Sequence, residues 1–151
     1  MAVDPVEILL VEDNPSDVEL TLHALRHNHL ANHIHVARDG EEALNYLFGR
    51  ETQANGAASL KLVLLDLKLP KVDGLEVLRA IKSDPRTKAI PVVILTSSRE
   101  DRDVVDGYRL SVNSYIQKPV DFEKFRETVR HLRFYWLLVN QPPPPTTRHM
   151  A

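Results

Sequence analysis

Five short apolar runs, separated by stretches with helical spacing, limit how this chain can fold more than any other feature of its sequence. The runs do not alternate apolar and polar residues and are rich in Val, Ile and Leu, as is typical of parallel strands covered on both faces. We therefore predict five parallel strands, within VEILLV at 6–11, IHVA at 34–37, LKLVLLDL at 60–67, IPVVIL at 90–95 and SYIQ at 114–117.

Each run is followed by apolar residues at the spacing of an amphipathic helix. The predicted helices begin at Asn14-Pro15, at Asp39-Gly40, at about Asp73, near residue 100 and at Asp121. Their apolar residues are Val18, Leu22 and Leu25; Ala43, Leu44 and Leu47; Val77, Leu78 and Ile81; Val104, Val105 and Tyr108; and Phe125, Val129, Leu132 and Trp136. The alternation of strand and helix predicts a doubly wound α/β fold, with helices on both faces of the sheet.

Size and composition favour a single folded domain. The chain has 151 residues, of which 43% are hydrophobic and 26% are charged, so one domain with a full core is expected. The tail QPPPPTTRHMA cannot be helical, because each proline lacks a backbone donor. We predict a domain over residues 1–140 and an extended proline-rich arm over 141–151.

Charge and targeting signals exclude several classes of function. The formal net charge is only -2 and no long block carries a single sign, which disfavours nucleic-acid and membrane-surface binding. The chain has no cysteine, so disulfides and thiolate sites are excluded. The N-terminus lacks the pattern of a signal peptide and no apolar run is long enough to span a membrane. We expect a cytoplasmic protein.

Five polar residues lie at the ends of the predicted strands and should meet at one edge of the sheet. Glu12 and Asp13 come at the end of the first strand, Asp66 at the end of the third, Thr96 at the end of the fourth and Lys118 at the end of the fifth. Ligands of doubly wound sheets bind outside the carboxyl ends of the strands. This edge is therefore where we expect the chemistry of the protein.

Three carboxylates at one edge call for a cation. Two carboxylates about 4 Å apart repel each other by roughly 4 kcal/mol at an intermediate effective dielectric. Oxygen ligands without His or Cys select a hard ion, and a site open to water and phosphate suits Mg²⁺. With Mg²⁺, Lys118 and the Thr96 hydroxyl neutralising charge, Asp66 is predicted to accept a phosphoryl group.

The combination of these motifs resembles the receiver domain of two-component response regulators. The matching motifs are Glu12-Asp13, DLKLPKVDG at 66–74, Thr96-Ser97 and Lys118-Pro119, and the likeness spans roughly residues 6–140. The resemblance implies the strand order 2-1-3-4-5 and phosphorylation of Asp66 by a histidine kinase. It implies a signalling protein, with only self-catalysed phosphotransfer and slow autodephosphorylation, and not an enzyme with an external substrate.

The same resemblance assigns further roles by position. It implies that Glu12, Asp13, Asp66 and the backbone carbonyl of Lys68 bind Mg²⁺, and that Thr96 and Lys118 contact the phosphoryl group. It also implies that Thr96 and Tyr115 form the switch, that the Lys118-Pro119 peptide bond is cis, and that Gly74 holds the sharp turn into the third helix.

The ends of the chain resemble a narrower group, the single-domain response regulators of bacterial and cyanobacterial phytochromes. This likeness rests on the long loop at 49–60, on VNSYIQKPVDFEKF at 112–125 and on YWLLVNQPPPP at 135–145. It implies a phytochrome-type histidine kinase as partner. With no output domain expected after residue 140, the output of the protein would be binding to other proteins.

The fifth helix carries more apolar residues than one buried stripe needs. We interpret the surplus as the surface of a homodimer, which the proline-rich arm would extend; the alternative is that the chain folds back over it. The surplus residues are Phe134, Tyr135, Leu137 and Leu138.

Two other functions stay open at this point. A receiver-like dimeric scaffold would act without phosphate, although the complete acidic set disfavours it. A phosphatase with an aspartyl nucleophile generally has an acid two residues after the nucleophile, and that position here is Lys68.

Overall fold

A five-stranded parallel sheet forms the centre of the molecule. The computed structural model describes residues 8–27, 33–49, 60–96, 99–107, 109–110, 112 and 114–131. The strands are β1 (Ile8–Val11), β2 (Ile34–Ala37), β3 (Leu62–Asp66), β4 (Val92–Thr96) and β5 (Ser114–Gln117). All pairs are parallel and the order is β2-β1-β3-β4-β5, which confirms the predicted fold and strand order.

Five helices cover the two faces of this sheet. They are α1 (Pro15–His27), α2 (Gly40–Phe48), α3 (Gly74–Ser83), α4 (Arg99–Gly107) and α5 (Phe122–His131). One buried cluster joins α1 and α5 to alternate strand residues such as Leu10 and Leu64. The other joins α2, α3 and α4 to the intervening residues, such as Leu9 and Val63. Strands buried on both faces explain why their sequences are continuously apolar.

Strand ends differ from the predicted runs for local reasons. Pro91 has no N–H to donate, so β4 begins at Val92, although the Pro91 carbonyl still accepts from Val63 N at 2.9 Å. The same strand extends one residue past its apolar run, because the Thr96 carbonyl accepts from Lys118 N at 2.7 Å. This bond ties the ends of β4 and β5 together.

Side-chain caps fix where four of the helices begin. Asn14 Oδ1 accepts from Asp17 N at 3.0 Å, and Asp39 Oδ1 accepts from Glu42 N at 2.7 Å. Asp73 Oδ1 accepts from Glu76 N at 3.1 Å, and Asp121 Oδ1 accepts from Lys124 N at 2.8 Å. Short polar side chains at this position satisfy backbone donors that the helix itself leaves free. The predicted starts of α1, α2 and α3 are confirmed.

Gly74 is required for space and not for an unusual backbone angle. Its φ does not lie in the left-handed region. A Cβ at this position would lie 2.2 Å from the Asp66 carbonyl oxygen and 2.4 Å from Leu67 Cα. The start of α3 therefore packs directly on the end of β3, which holds Asp66 firmly at the edge of the sheet.

The apolar residues of α4 divide between core and solvent. Val105 is fully buried, whereas Val104 is 47% exposed. Successive residues of a helix point about 100° apart, so only one of the two can face the sheet. Val104 instead borders a groove beside the carboxyl edge of the sheet.

Some predictions concern residues outside the described part of the chain. These are Tyr108, Leu132 and Trp136, the side chain of Val129, the end of the fifth helix near Asn140, nearly all of the loop at 49–60, the proposed dimer surface at Phe134, Tyr135, Leu137 and Leu138, and the tail at 141–151. Within the described ranges, no helix has the length and apolar character needed to cross a membrane.

Candidate functional site

The three predicted acids come together where β1 and β3 end. These strands are neighbours in the sheet, so Glu12 and Asp13, just after β1, lie beside Asp66, the last residue of β3. One oxygen from each of the three carboxylates lies within 4.8 Å of the others. Glu12 and Asp66 are 0% and 5% exposed, whereas Asp13 faces solvent. The cluster is thus open on one side.

Glu12 is a buried carboxylate with an incompletely satisfied oxygen. Its Oε2 accepts from Asn14 N at 3.1 Å. Lys118 Nζ lies 2.7 Å from Oε1 as an ion pair, but Oε1 has no hydrogen-bond partner among the described residues. Burial and the nearby Asp66 charge raise the pKa of Glu12 to about 7, against the opposing effects of Lys118 and Asn14.

Asp66 is held from both of its oxygens. Oδ1 accepts from Lys68 N at 3.1 Å, and Oδ2 accepts from Lys118 Nζ at 2.8 Å. The first contact is local, because the chain turns immediately after β3. The second comes from the far edge of the sheet and fixes the direction in which the carboxylate points.

Lys118 is the positive charge of this site. It follows β5, and the cis Lys118-Pro119 peptide bond predicted from the resemblance is present. Burial by itself lowers the pKa of Lys118, but the hydrogen bond to Asp66 and the contact with Glu12 outweigh that effect and raise the pKa. The ammonium therefore stays charged throughout the physiological range.

A fourth carboxylate, Asp17, also reaches Lys118, and the sequence did not predict it. Asp17 Oδ2 accepts from Lys118 Nζ at 3.1 Å. An acid in the first turn of a helix is common for reasons of the helix dipole alone. Because the contact joins residues 101 positions apart, no local pattern in the sequence identifies it.

The remaining predicted site residues occupy different parts of this edge. Thr96 is buried at the end of β4, one residue beyond the position opposite Asp66. Lys68 has an exposed side chain and lines a groove of about 470 Å³. The other residues of this groove are Asp13, Leu67, Leu69, Pro70, Asp73, Leu75 and Val104.

Tyr115 faces α4 in this structure. Its hydroxyl donates to Asp106 Oδ1 at 2.9 Å, and the guanidinium carbon of Arg102 lies 4.6 Å from the ring centroid. Burial, followed by the bond to Asp106, raises the pKa of Tyr115 to about 12. The ring is thus held against the outer surface of α4 by two side chains one helical turn apart.

The acidic cluster has the composition of a site for a hard divalent cation. All its donors are oxygens, which suit Mg²⁺ or Mn²⁺ better than softer metals. The buried Glu12 Oε1, close to an ammonium but without a hydrogen bond, is the kind of atom that a metal ion satisfies. The residues present therefore fit a cation held by Glu12, Asp13 and Asp66.

Comparison with known proteins decides the family. A model of the response regulator receiver domain matches residues 8–130. The chain belongs to this family. Its fold, with the order 2-1-3-4-5 and helices on both faces, is the receiver fold. Proteins of this type are signalling proteins and not classical enzymes.

Proteins similar to this receiver include a regulatory protein and two response regulators with solved structures. The probable methanogenesis regulatory protein FilR2 of Methanothrix harundinacea is 46% identical over 144 residues, which are 95% of this chain and 92% of FilR2. The bacteriophytochrome response regulator AtBRR is 50% identical with a TM-score of 0.73, over 86% of this chain and 94% of that one. A Mn²⁺-bound form of response regulator Rcp1 is 37% identical with a TM-score of 0.70, over 93% of this chain and 100% of the other.

The raised pKa of Glu12 predicts how the stability of this receiver depends on pH. The folded protein keeps the Glu12 proton up to about pH 7, whereas the unfolded chain loses it near 4.5. The contribution of Glu12 to stability is therefore complete below its pKa in the unfolded chain. It is lost as the pH rises through its pKa in the folded protein. We expect the free energy of unfolding of the wild type, relative to Glu12→Gln, to fall as the pH rises from about 5 to about 7.5.

Urea unfolding of both proteins in a chelating buffer measures this difference. A constant difference in the free energy of unfolding across the pH range would contradict the prediction, because the glutamine cannot titrate.

Proposed function

We propose that this receiver is a single-domain response regulator in which Asp66 accepts a phosphoryl group from a histidine kinase, with Mg²⁺ as cofactor. The observation that carries the proposal is the contact of 2.8 Å between Lys118 Nζ and Asp66 Oδ2 beside the three clustered carboxylates. Transfer of a phosphoryl group to a protein needs an oxygen nucleophile, a cation site and a fixed positive charge in one place. The Mn²⁺-bound Rcp1 structure supports the metal part of the proposal.

The transfer forms one bond and breaks one. An oxygen of the Asp66 carboxylate attacks the phosphorus of the phosphohistidine, a P–O bond forms and the P–N bond breaks. The electron pair of the broken bond stays on the imidazole nitrogen, which takes up a proton. Glu12, Asp13, Asp66 and the Lys68 carbonyl would hold Mg²⁺, which would supply positive charge to the phosphoryl oxygens when bound.

Residues of the chain position the nucleophile and neutralise the product. The Lys68 N–H holds Asp66 Oδ1 and the Lys118 ammonium holds Oδ2, so the carboxylate is oriented before the donor arrives. Once the Asp66 carboxylate carries the phosphoryl group as an acyl phosphate, Lys118 is free to bind a phosphoryl oxygen. The Thr96 hydroxyl, at the end of the adjacent strand, donates to another.

Intact-protein mass after incubation with a small phosphoryl donor tests this proposal. With Mg²⁺ we expect the mass of one phosphoryl group to be added to the wild type, because Asp66 is oriented and its charge is compensated. Neither Asp66→Asn nor wild type with a chelator should gain it. An Asp66→Asn protein that gains the same mass would refute Asp66 as acceptor.

The same assay tests the partner when a phytochrome-type histidine kinase with ATP replaces the small donor. The likeness of this chain to AtBRR, a bacteriophytochrome response regulator, supports this choice of kinase. Transfer at least as fast from a kinase of an unrelated sensor would contradict a phytochrome-type partner.

We also propose a cytoplasmic location, where the receiver would meet such a kinase.

Signalling is proposed to pass through Thr96 and Tyr115. Phosphate adds nearly two negative charges next to Thr96 and draws its hydroxyl inward. This movement changes the space beside β5 and favours release of Tyr115 from Asp106 and Arg102, so that the surface of α4 and β5 changes for its partners.

Fluorotyrosine labelling tests this switch. The ¹⁹F resonance that is lost in Tyr115→Phe identifies Tyr115 among the four tyrosines of the chain. We expect that resonance to shift when donor and Mg²⁺ are added to the wild type, and to stay in place in Asp66→Asn. An unchanged resonance in phosphorylated wild type would contradict a role for Tyr115.

The proposal includes a homodimer through the fifth helix and the proline-rich arm. Its support is the sequence pattern of Phe134, Tyr135, Leu137 and Leu138. We expect sedimentation equilibrium to give the mass of a dimer for the wild type and of a monomer for Leu137→Glu/Leu138→Glu, because a buried charge opposes association. A wild type that is monomeric both with and without phosphate would contradict the dimer.

A further inference from the structure

Asp17 contacts the site from the first turn of α1, and its side chain is not used to cap that helix. Asn14 is the cap, and it accepts from the backbone N–H of Asp17 at 3.0 Å. In the usual capping box, the acid at the position of Asp17 would accept from the backbone N–H of the cap residue. Here that N–H donates to Glu12 Oε2 at 3.1 Å instead. The Asp17 carboxylate is therefore available to Lys118.

Lys118 divides its charge among three carboxylates with different roles. Its Nζ lies 2.7 Å from Glu12, 2.8 Å from Asp66 and 3.1 Å from Asp17. The ammonium donates hydrogen bonds to Asp66 and Asp17, and it lies at ion-pair distance from Glu12 Oε1. Glu12 and Asp66 belong to the cluster that fits a cation, and Asp17 does not.

This division creates a competition that Asp17 can relieve. A divalent cation bound by Glu12 and Asp66 repels the ammonium that rests on the same two carboxylates. Without another anion nearby, the ammonium would either stay on these carboxylates and weaken metal binding, or move away and lose the negative charge that compensates it. Asp17 gives the ammonium a partner outside the metal cluster, and this partner is partly screened from water, with its side chain 28% exposed.

We propose that Asp17 is a positioning residue that keeps Lys118 at the site while Glu12 and Asp66 bind Mg²⁺. This inference rests on the proposed function, since it assigns a role within the same site. With the ammonium anchored on Asp17, Lys118 remains beside Asp66 for the incoming phosphoryl group. Loss of Asp17 leaves Lys118 on the metal ligands, where it competes with the cation.

Calorimetric titration of the metal-free full chain with Mg²⁺ alone tests the inference. We expect Asp17→Asn to weaken Mg²⁺ binding by roughly threefold to tenfold, at or below the low end of what loss of a supporting residue costs a metal site. Asp17→Glu, which keeps a carboxylate within reach of Lys118, should stay within about twofold of wild type. The matched control is Glu19→Gln, which removes the same charge from an exposed position on the same helix and should change binding by less than about twofold, because exposed charges are screened.

A second background separates positioning of Lys118 from simple attraction between Asp17 and the metal. In Lys118→Met there is no ammonium to hold, so Asp17→Asn should weaken Mg²⁺ binding by a smaller factor than it does in the wild type. Equal factors in the two backgrounds would show that Asp17 acts through its charge alone, and would overturn the inference.

The failure of the inference can be told apart from the failure of the proposed function. Wild type that binds Mg²⁺, together with an Asp17→Asn protein of the same affinity, would overturn the role of Asp17 and leave the receiver chemistry standing. Wild type that binds no Mg²⁺ would overturn both. Thermal unfolding followed by circular dichroism confirms that each variant is folded before its affinity is compared.

Discussion

The site depends on one ammonium group that compensates several carboxylates. Lys118 Nζ lies within 3.1 Å of Glu12, Asp17 and Asp66, which lie just after β1, in the first turn of α1 and at the end of β3. Partly buried charges of one sign are costly unless they are paired, and removal of a single partner leaves the others exposed to their mutual repulsion. The ammonium thus allows an acidic edge to exist in a folded protein before a metal ion or phosphate arrives.

The fold puts these charges together through the order of its strands. β1 and β3 are neighbours and end side by side, so Glu12 and Asp66 meet without any special loop. The hydrogen bond from Lys118 N to the Thr96 carbonyl holds the end of β5 beside the end of β4. Lys118 therefore lies at the same edge of the sheet as Glu12 and Asp66. Gly74 lets α3 begin in direct contact with the backbone of Asp66 and Leu67. The raised pKa of Glu12 shows what this placement costs, because burial disfavours the charged carboxylate. Such shifts are common where a group is positioned for chemistry at the expense of stability.

Much of this arrangement can be predicted from the sequence. The parts that cannot be predicted share one physical reason. Continuous apolar runs and helix caps at Asn14, Asp39 and Asp73 are local signals, so elements and their starts are predictable. The polar residues at strand ends are predictable because parallel strands end at one edge. The strand order came from the resemblance. The contact of Asp17 with Lys118 and the hold of Arg102 and Asp106 on Tyr115 depend on how separate elements pack, and periodicity carries no information about them.

Lys118 and a divalent cation are proposed to compensate the charge of the same carboxylates, and the free energy of unfolding of Lys118→Met tests this claim most directly. In a chelating buffer, we predict a loss of about 2 kcal/mol or more relative to wild type, because buried carboxylates lose their partner. In saturating Mg²⁺ most of that loss should disappear, since the ion replaces the ammonium. A loss of the same size in both buffers, or no loss in the chelating buffer, would contradict the claim.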